Sequence, residues 1–273
     1  MRRPEPFLVT RLVRAVFAVA LLASLVAAPA AAVQPPAGLT MEATVLLDGH
    51  ARVGSWMAID IHVANVGPAI SGELRLAGGA QGRTRFGTPV DLPTQSDKTY
   101  RLYAQPPAFG REIEISLVSG DSTVATTKAA FSVHEATQLV VGIVAERPGD
   151  IVGDLDLLPN MQNVAPLTVA LGVEDLPARV EAWGILDRLI WQDTDSSRLS
   201  TEQINAMRGW ISGGGRLVIV GGTAGPASLS AFPDTLLPYR PTATTDVEPG
   251  ALVAMLGEIP DAATALPALS GEL

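Results

Sequence analysis

The chain has 273 residues, 19 basic against 28 acidic, a formal net charge of −9 and no cysteine. Disulfides, thiolate nucleophiles and cysteine-ligated metals are therefore excluded. Nucleic acid is disfavoured as a partner too, because Arg and Lys are scattered singly and phosphate neutralisation needs them gathered.

The chain opens with Arg2, Arg3, Arg11 and Arg14, then an almost unbroken apolar run from Ala15 to Ala28, then the small residues Ala30, Ala31 and Ala32. Charge, apolar stretch and small residues in that order predict a signal peptide over residues 1–32, cleaved after Ala32 or, as the alternative, after Ala30. The competing reading is an uncleaved anchor, for which the run is short, since a spanning helix needs about 20 residues. Either way the rest of the chain is exported. Removing residues 1–32 takes away four arginines and one glutamate, leaving 15 basic and 27 acidic residues and a net charge of about −12. The remaining chain, about 240 residues, is long enough for two ordinary domains.

Residues 33–39 read as a linker. From 40 to 134 short runs alternate between apolar and polar residues: Met41, Ala43, Val45 and Leu47, then Met57, Ile59, Ile61 and Val63, then Leu74 and Leu76. Period two broken by turn signals such as Asn65 to Pro68 and Ser119 to Asp121 predicts an antiparallel β-sandwich of about seven strands. The stretch IDIHVANVGPAISGELRL resembles immunoglobulin-like accessory domains of bacterial exported proteins, which implies an immunoglobulin-like sandwich over 40–134.

At Gln138 the pattern changes. Leu139 to Val144 is a continuous apolar run of the kind buried in a parallel sheet, and Ala165 to Leu171 and Ile185 to Trp191 are expected as further strands. Glu146 to Asn163 is polar and reads as a loop leading into an irregular helix. Ser200 and Gln203 are spaced for a reciprocal capping box. Ile204, Met207, Trp210 and Ile211 recur at three and four, so the segment that follows Ser200 is an amphipathic helix. Gly213, Gly214 and Gly215 end it, and Leu217 to Val220 is expected as a strand buried on both faces. Beyond Val220 the text loosens. Residues 249–256 are expected to hold a strand or helix, residues 262–269 read as weakly helical, and the final LPALSGEL shows no tie-down element. The second domain, 138–273, is therefore expected to be truncated or to finish in a divergent tail after about residue 225.

In open parallel sheets ligands gather at the carboxyl ends of the strands, which points to three loops. They carry Glu146, Arg147 and Asp150; Asp193, Asp195, Ser196 and Ser197; and Gly221, Gly222 and Thr223. Asp150, Asp193, Asp195 and Thr223 are the ligand-binding candidates, with Asp193 and Asp195 offering hard oxygen ligands to a divalent cation. A solvated turn leading to Ser200 explains the same carboxylates without a ligand, and no metal site is expected. Gly221 and Gly222 lack the lysine of a phosphate loop, so turn geometry accounts for them better than a nucleotide. No cofactor is expected.

Leu176-Pro177, Leu186-Asp187, Leu189 to Asp193, Leu199-Ser200 with Gln203, and Trp210-Ile211 before Gly214 to Gly222 together resemble class I glutamine amidotransferase-like domains. They are more similar still to the degenerate version found beside an immunoglobulin-like domain in exported, membrane-attached bacterial proteins of uncharacterised function. The resemblance covers about a third of the chain. It implies a multidomain protein in which the sandwich is followed by an α/β, flavodoxin-like three-layer domain. It also implies a nucleophilic cysteine after the strand Leu217 to Val220. That region here is Gly221-Gly222-Thr223, and the only histidines, His50, His62 and His134, all precede the second domain. A thiolate–imidazole pair cannot be assembled, so no catalytic residue is assigned.

The expectation is a non-catalytic binding or scaffolding protein of the cell envelope. Its partner would be an envelope protein or polymer, and it would reach the membrane through an uncleaved signal or an anchor encoded beyond Leu273. The alternative is a hydrolase or sugar-binding enzyme using Asp150, Asp193 and Asp195. That enzyme needs its carboxylates to converge in one cleft with at least one of them perturbed by burial or like charge.

Overall fold

The computed structural model describes residues 35–76, 86–107, 110–156, 166–220, 224–248, 250 and 266–272. The expected signal peptide lies outside these, as do Gly221, Gly222, Thr223 and, but for residue 250, the element expected over 249–256.

Among the described residues the first half is built of β-strands, with no α-helix. Its strands are β1 (Leu39–Val45), β2 (His50–Arg52), β3 (Met57–Asn65), β4 (Ile70–Leu76), β5 (Gly87–Leu92), β6 (Ser96–Ala104), β7 (Glu112–Ser119), β8 (Ser122–Ala130) and β9 (Ser132–His134). Seven of them form two antiparallel sheets, ordered β1-β3-β6 and β5-β4-β7-β8. Alternation does the sorting: Ile59, Ile61 and Val63 of β3 share a face and are fully buried against Leu74, Leu92, Ile115 and Leu117, while His62 points to solvent beside Asp97. The turn after β3 is fixed by buried Asn65, whose amide donates to the carbonyls of Pro68 at 2.8 Å and Leu92 at 3.1 Å while its oxygen accepts from the Gly67 amide at 3.0 Å. The two remaining strands, β2 and β9, pair in parallel.

The second half contains β10 (Val140–Ala145), α1 (Pro148–Asp156), β11 (Leu167–Ala170), β12 (Arg188–Gln192), α2 (Thr201–Ser212), β13 (Arg216–Val220), β14 (Arg240–Val247) and β15 (Leu266–Glu272). Four strands make a parallel sheet in the order β11-β10-β12-β13. Both sides of β10 are buried, one by Val169, Leu189 and Trp191, the other by Ile190 and the α1 residues Ile151 and Val152. Helix α2 starts at a complete capping box: the Gln203 amide donates to Ser200 Oγ at 3.1 Å, and the Ser200 amide donates to Gln203 Oε1 at 2.8 Å. The Gln203 Nε2 then donates to the carbonyls of Val173 and Leu176, each at 2.8 Å, so one buried side chain starts the helix and holds a distant loop. At the other end Gly214 takes φ +107°, and Gly215 lies under the Trp210 ring so closely that a Cβ there would stand 2.1 Å from it. The Trp210 indole N–H donates to the Leu186 carbonyl at 2.9 Å.

Two expectations are corrected here. A flavodoxin-like three-layer domain needs helices along both faces of its sheet. The described residues hold two α-helices against fifteen strands, so the chain is a β-rich fold, and an amidotransferase-like α/β domain does not fit it. The segment that misled is Leu217 to Val220. An unbroken apolar run suggested burial on both faces, yet only Leu217 and Ile219 pack against the core. Val218 and Val220 are 41% and 37% exposed. The other correction concerns the tail. In place of a weak helix over 262–269 and an untied end, Leu266–Glu272 pairs antiparallel with Arg240–Val247, and the Tyr239 hydroxyl donates to the Leu269 carbonyl at 2.8 Å. The pairing partner is a Thr-rich stretch with no apolar alternation, so neither strand announces itself.

Arg52, on β2, ties the two halves together. Its Nη2 donates to Asp187 Oδ2 at 2.7 Å and to the Gln138 carbonyl at 2.8 Å, and its Nη1 donates to Asp187 Oδ1 at 3.2 Å and the Gly184 carbonyl at 3.4 Å.

Candidate functional site

The carboxyl end of the parallel sheet was the expected location, and the structure places Asp150, Asp193 and Asp195 there. They do not form one constellation. Asp150 and Asp193 line a cavity of about 110 Å3 together with Glu146, Arg147 and Gln192. Asp193 and Asp195 line a neighbouring one of about 240 Å3 with Thr194, Gly172 and Arg198. Asp193 stands on the wall between them.

Two of these carboxylates, Asp193 and Asp195, already hold up loops. Asp193 has φ +51°, in the left-handed region that Asp tolerates better than most residues, and its Oδ1 accepts from the Ala224 amide at 2.8 Å. That bond joins the loop after β12 to the loop after β13. Asp195 caps the short turn Ser196–Arg198, accepting from the Ser197 amide at 2.9 Å and the Ser197 hydroxyl at 2.7 Å. The Ser197 amide first, and its hydroxyl second, hold the Asp195 carboxyl below the usual carboxylate range. A carboxylate made more acidic by local donors is a poor general acid or base. Asp150 lies on the surface beside Arg147, 3.4 Å from its Nε. Thr223, the remaining candidate, lies outside the described residues. Among the described residues no group of three or more His, Asp or Glu side chains is placed to hold a metal ion. One carboxyl in this region does sit above its ordinary value. Burial pushes Asp175 up, opposed by the Gly172 amide that donates to it at 2.8 Å, and it serves a tight turn.

A larger cleft, about 560 Å3, opens at the opposite end of the sheet. Arg52, Arg188 and Arg216 border it, above a floor that includes Leu139, Val180 and Trp210. In the sequence these arginines are 136 and 28 positions apart and look scattered. The fold gathers them because Arg188 and Arg216 are the first residues of adjacent parallel strands and pair in register. The only signal for this in the sequence was that Arg188 and Arg216 each head an apolar run. Burial pushes Asp187 up, but the Arg52 guanidinium, the Val140 amide and the charge of Arg188 outweigh it, and the carboxyl titrates below its ordinary value.

The family model that matches is described as "Domain of unknown function (DUF8726)" and covers residues 38–132, so it takes in the sandwich and stops short of the 139–225 segment that carried the amidotransferase-like resemblance. No curated protein matches. Among solved structures, the chain is similar to a CARDB domain from Pyrococcus furiosus, in complex with di-metal ions, at 21% identity over 34% of this chain and 87% of that one, with a TM-score of 0.25. It is also similar to the Pseudomonas fluorescens alkylpurine DNA glycosylase bound to DNA containing an abasic site analog (7% identity, 37% of this chain, 32% of that one, TM-score 0.25). A third is a Paenibacillus cycloisomaltooligosaccharide glucanotransferase complexed with cycloisomaltoheptaose (14% identity, 65% and 28%, TM-score 0.27). The chain thus spans about a third or less of the two enzymes, and likenesses at these scores carry no argument about its function.

Proposed function

We propose that this is a non-catalytic, exported binding or scaffolding protein of the cell envelope. The observation that carries the reading is the employment of the sheet-edge carboxylates. Asp193 bridges two loops and Asp195 caps a turn, so the groups that an acid–base mechanism would need are spent on backbone donors. Export is an inference from the arginine-flanked apolar run and small residues at 15–32.

The test is cosedimentation of the full chain with envelopes isolated from the producing cells, compared with the triple variant Asp150→Asn, Asp193→Asn, Asp195→Asn. Both proteins should pellet with the envelopes to the same extent. Recovery of the wild type in the soluble fraction would defeat the envelope role, and selective loss of the triple variant would favour a carboxylate-dependent ligand site.

A further inference from the structure

We propose that the outer edge of β13 docks an extended peptide segment carrying an acidic residue at one end. This deepens the binding reading above and rests on it.

Among the described residues β13 hydrogen-bonds to β12 alone and forms the margin of the parallel sheet. An edge strand presents unpaired N–H and C=O groups, which proteins ordinarily protect with proline, bulges or lysine. Arg216–Val220 has no proline, and its register with β12 runs without a shift. Only another extended chain can satisfy a row of alternating donors and acceptors, so the backbone selects a strand over a helix or a small solute.

The two faces flanking this edge supply the side-chain selectivity. On one face Val218 and Val220 are exposed. On the other, Ile219 opens onto a largely apolar groove of about 280 Å3 walled by Leu229, Leu237, Tyr239 and Pro267. A strand laid along β13 would send alternate side chains to these two surfaces, so apolar residues are accommodated on both.

Charge selects the end residue. Arg216 and Arg188 are register neighbours at the start of the edge, and among the described residues neither is in ion-pair contact with a carboxylate. Asp187 stands nearby but is held by Arg52. Two guanidinium groups with room in front of them fit a carboxylate well. A second copy of the chain fits worse. Antiparallel pairing of two β13 strands about Val218 would set each Arg216 opposite a Val220 and leave both arginines without a counter-charge.

The probe is a fluorescein-labelled hexapeptide, Glu-Val-Thr-Val-Thr-Val, titrated with the full chain and followed by fluorescence anisotropy. Saturable binding is expected, weakened at least tenfold when the peptide's Glu is replaced by Lys. Arg216→Glu should reverse that preference, and Val218→Lys, a change at an exposed position, should weaken both peptides while circular dichroism and the melting temperature stay at wild-type values. Absence of saturation, indifference to the peptide's charge, or full binding by Val218→Lys would each overturn the proposal. So would a dimer in light scattering that Val218→Lys dissolves, since a second copy would then occupy the edge. Envelope cosedimentation is read independently, so a failed peptide titration beside intact cosedimentation rejects this docking mode and leaves the envelope role standing.

Discussion

Strand β12 has an aspartate just before its first residue and another just after its last, and the two live in different worlds. Asp187 is tied to Arg52, a residue 135 positions away, and to the Val140 amide on the next strand. Asp193 and its neighbour Asp195 bond to groups in their own or the adjacent loop. The amino end of the sheet is thus braced by contacts between the two halves of the protein, and the carboxyl end by contacts within the second half. Chemical character alone does not separate these carboxylates, because what distinguishes them is what lies across from each.

The brace at the amino end should be the more sensitive of the two. The largest effect is expected at Gly215. Gly215→Ala drives a methyl into the Trp210 ring and should cost about 3 kcal/mol, the upper part of the usual range for overpacking, read as a shift in the urea midpoint. If the variant melts like wild type, the packing of Trp210 over this turn is not as tight as the 2.1 Å approach implies.

Next comes Asp187→Asn, which leaves the Arg52 guanidinium, itself only 12% exposed, without its anion. A loss of about 2 kcal/mol at neutral pH is expected for a half-exposed charged hydrogen bond. The pH dependence has a definite sign. Because the folded carboxyl titrates below the unfolded value of about 3.9, its stabilisation is fully present above that pH and is lost as pH falls through the lower, folded value. Urea midpoints measured from pH 6 downward should therefore fall more steeply for wild type than for Asp187→Asn across the acid window.

The smallest effect is expected at Asp195→Ala. This exposed carboxylate caps a three-residue turn, and its removal should leave the thermal midpoint within the scatter of replicate melts. A change larger than that of Asp187→Asn would invert the contrast between the two ends.

How much of this could be read beforehand follows the same division. The Ser200–Gln203 capping box, the Asn65 turn and the glycine exit from α2 are governed by neighbours within a few residues, so spacing alone revealed them. Arg52 with Asp187, His50 with His134 at 2.9 Å, and the β14–β15 pairing join residues from 19 to 135 positions apart and leave no local trace. The sheet-edge carboxylates stand at the strand ends, but what their oxygens bond to was not legible. The run DTDSS looks the same whether its oxygens face a cation or their own backbone amides. Asp193 did carry one clue, since an aspartate straight after an apolar strand is among the few residues suited to a left-handed turn. The exposed face of β13 was illegible, because Val218 and Val220 are as apolar as residues that a further helix would cover.

The Arg52 contact has a mechanical corollary. Its four hydrogen bonds converge on one guanidinium, beside the parallel β2–β9 ladder that spans His50 to Arg52 and Ser132 to His134. A pull that separates the sandwich from the sheet loads these bonds together, so they resist as a set. Such a joint keeps the two halves in fixed orientation under modest tension and lets go only past a threshold.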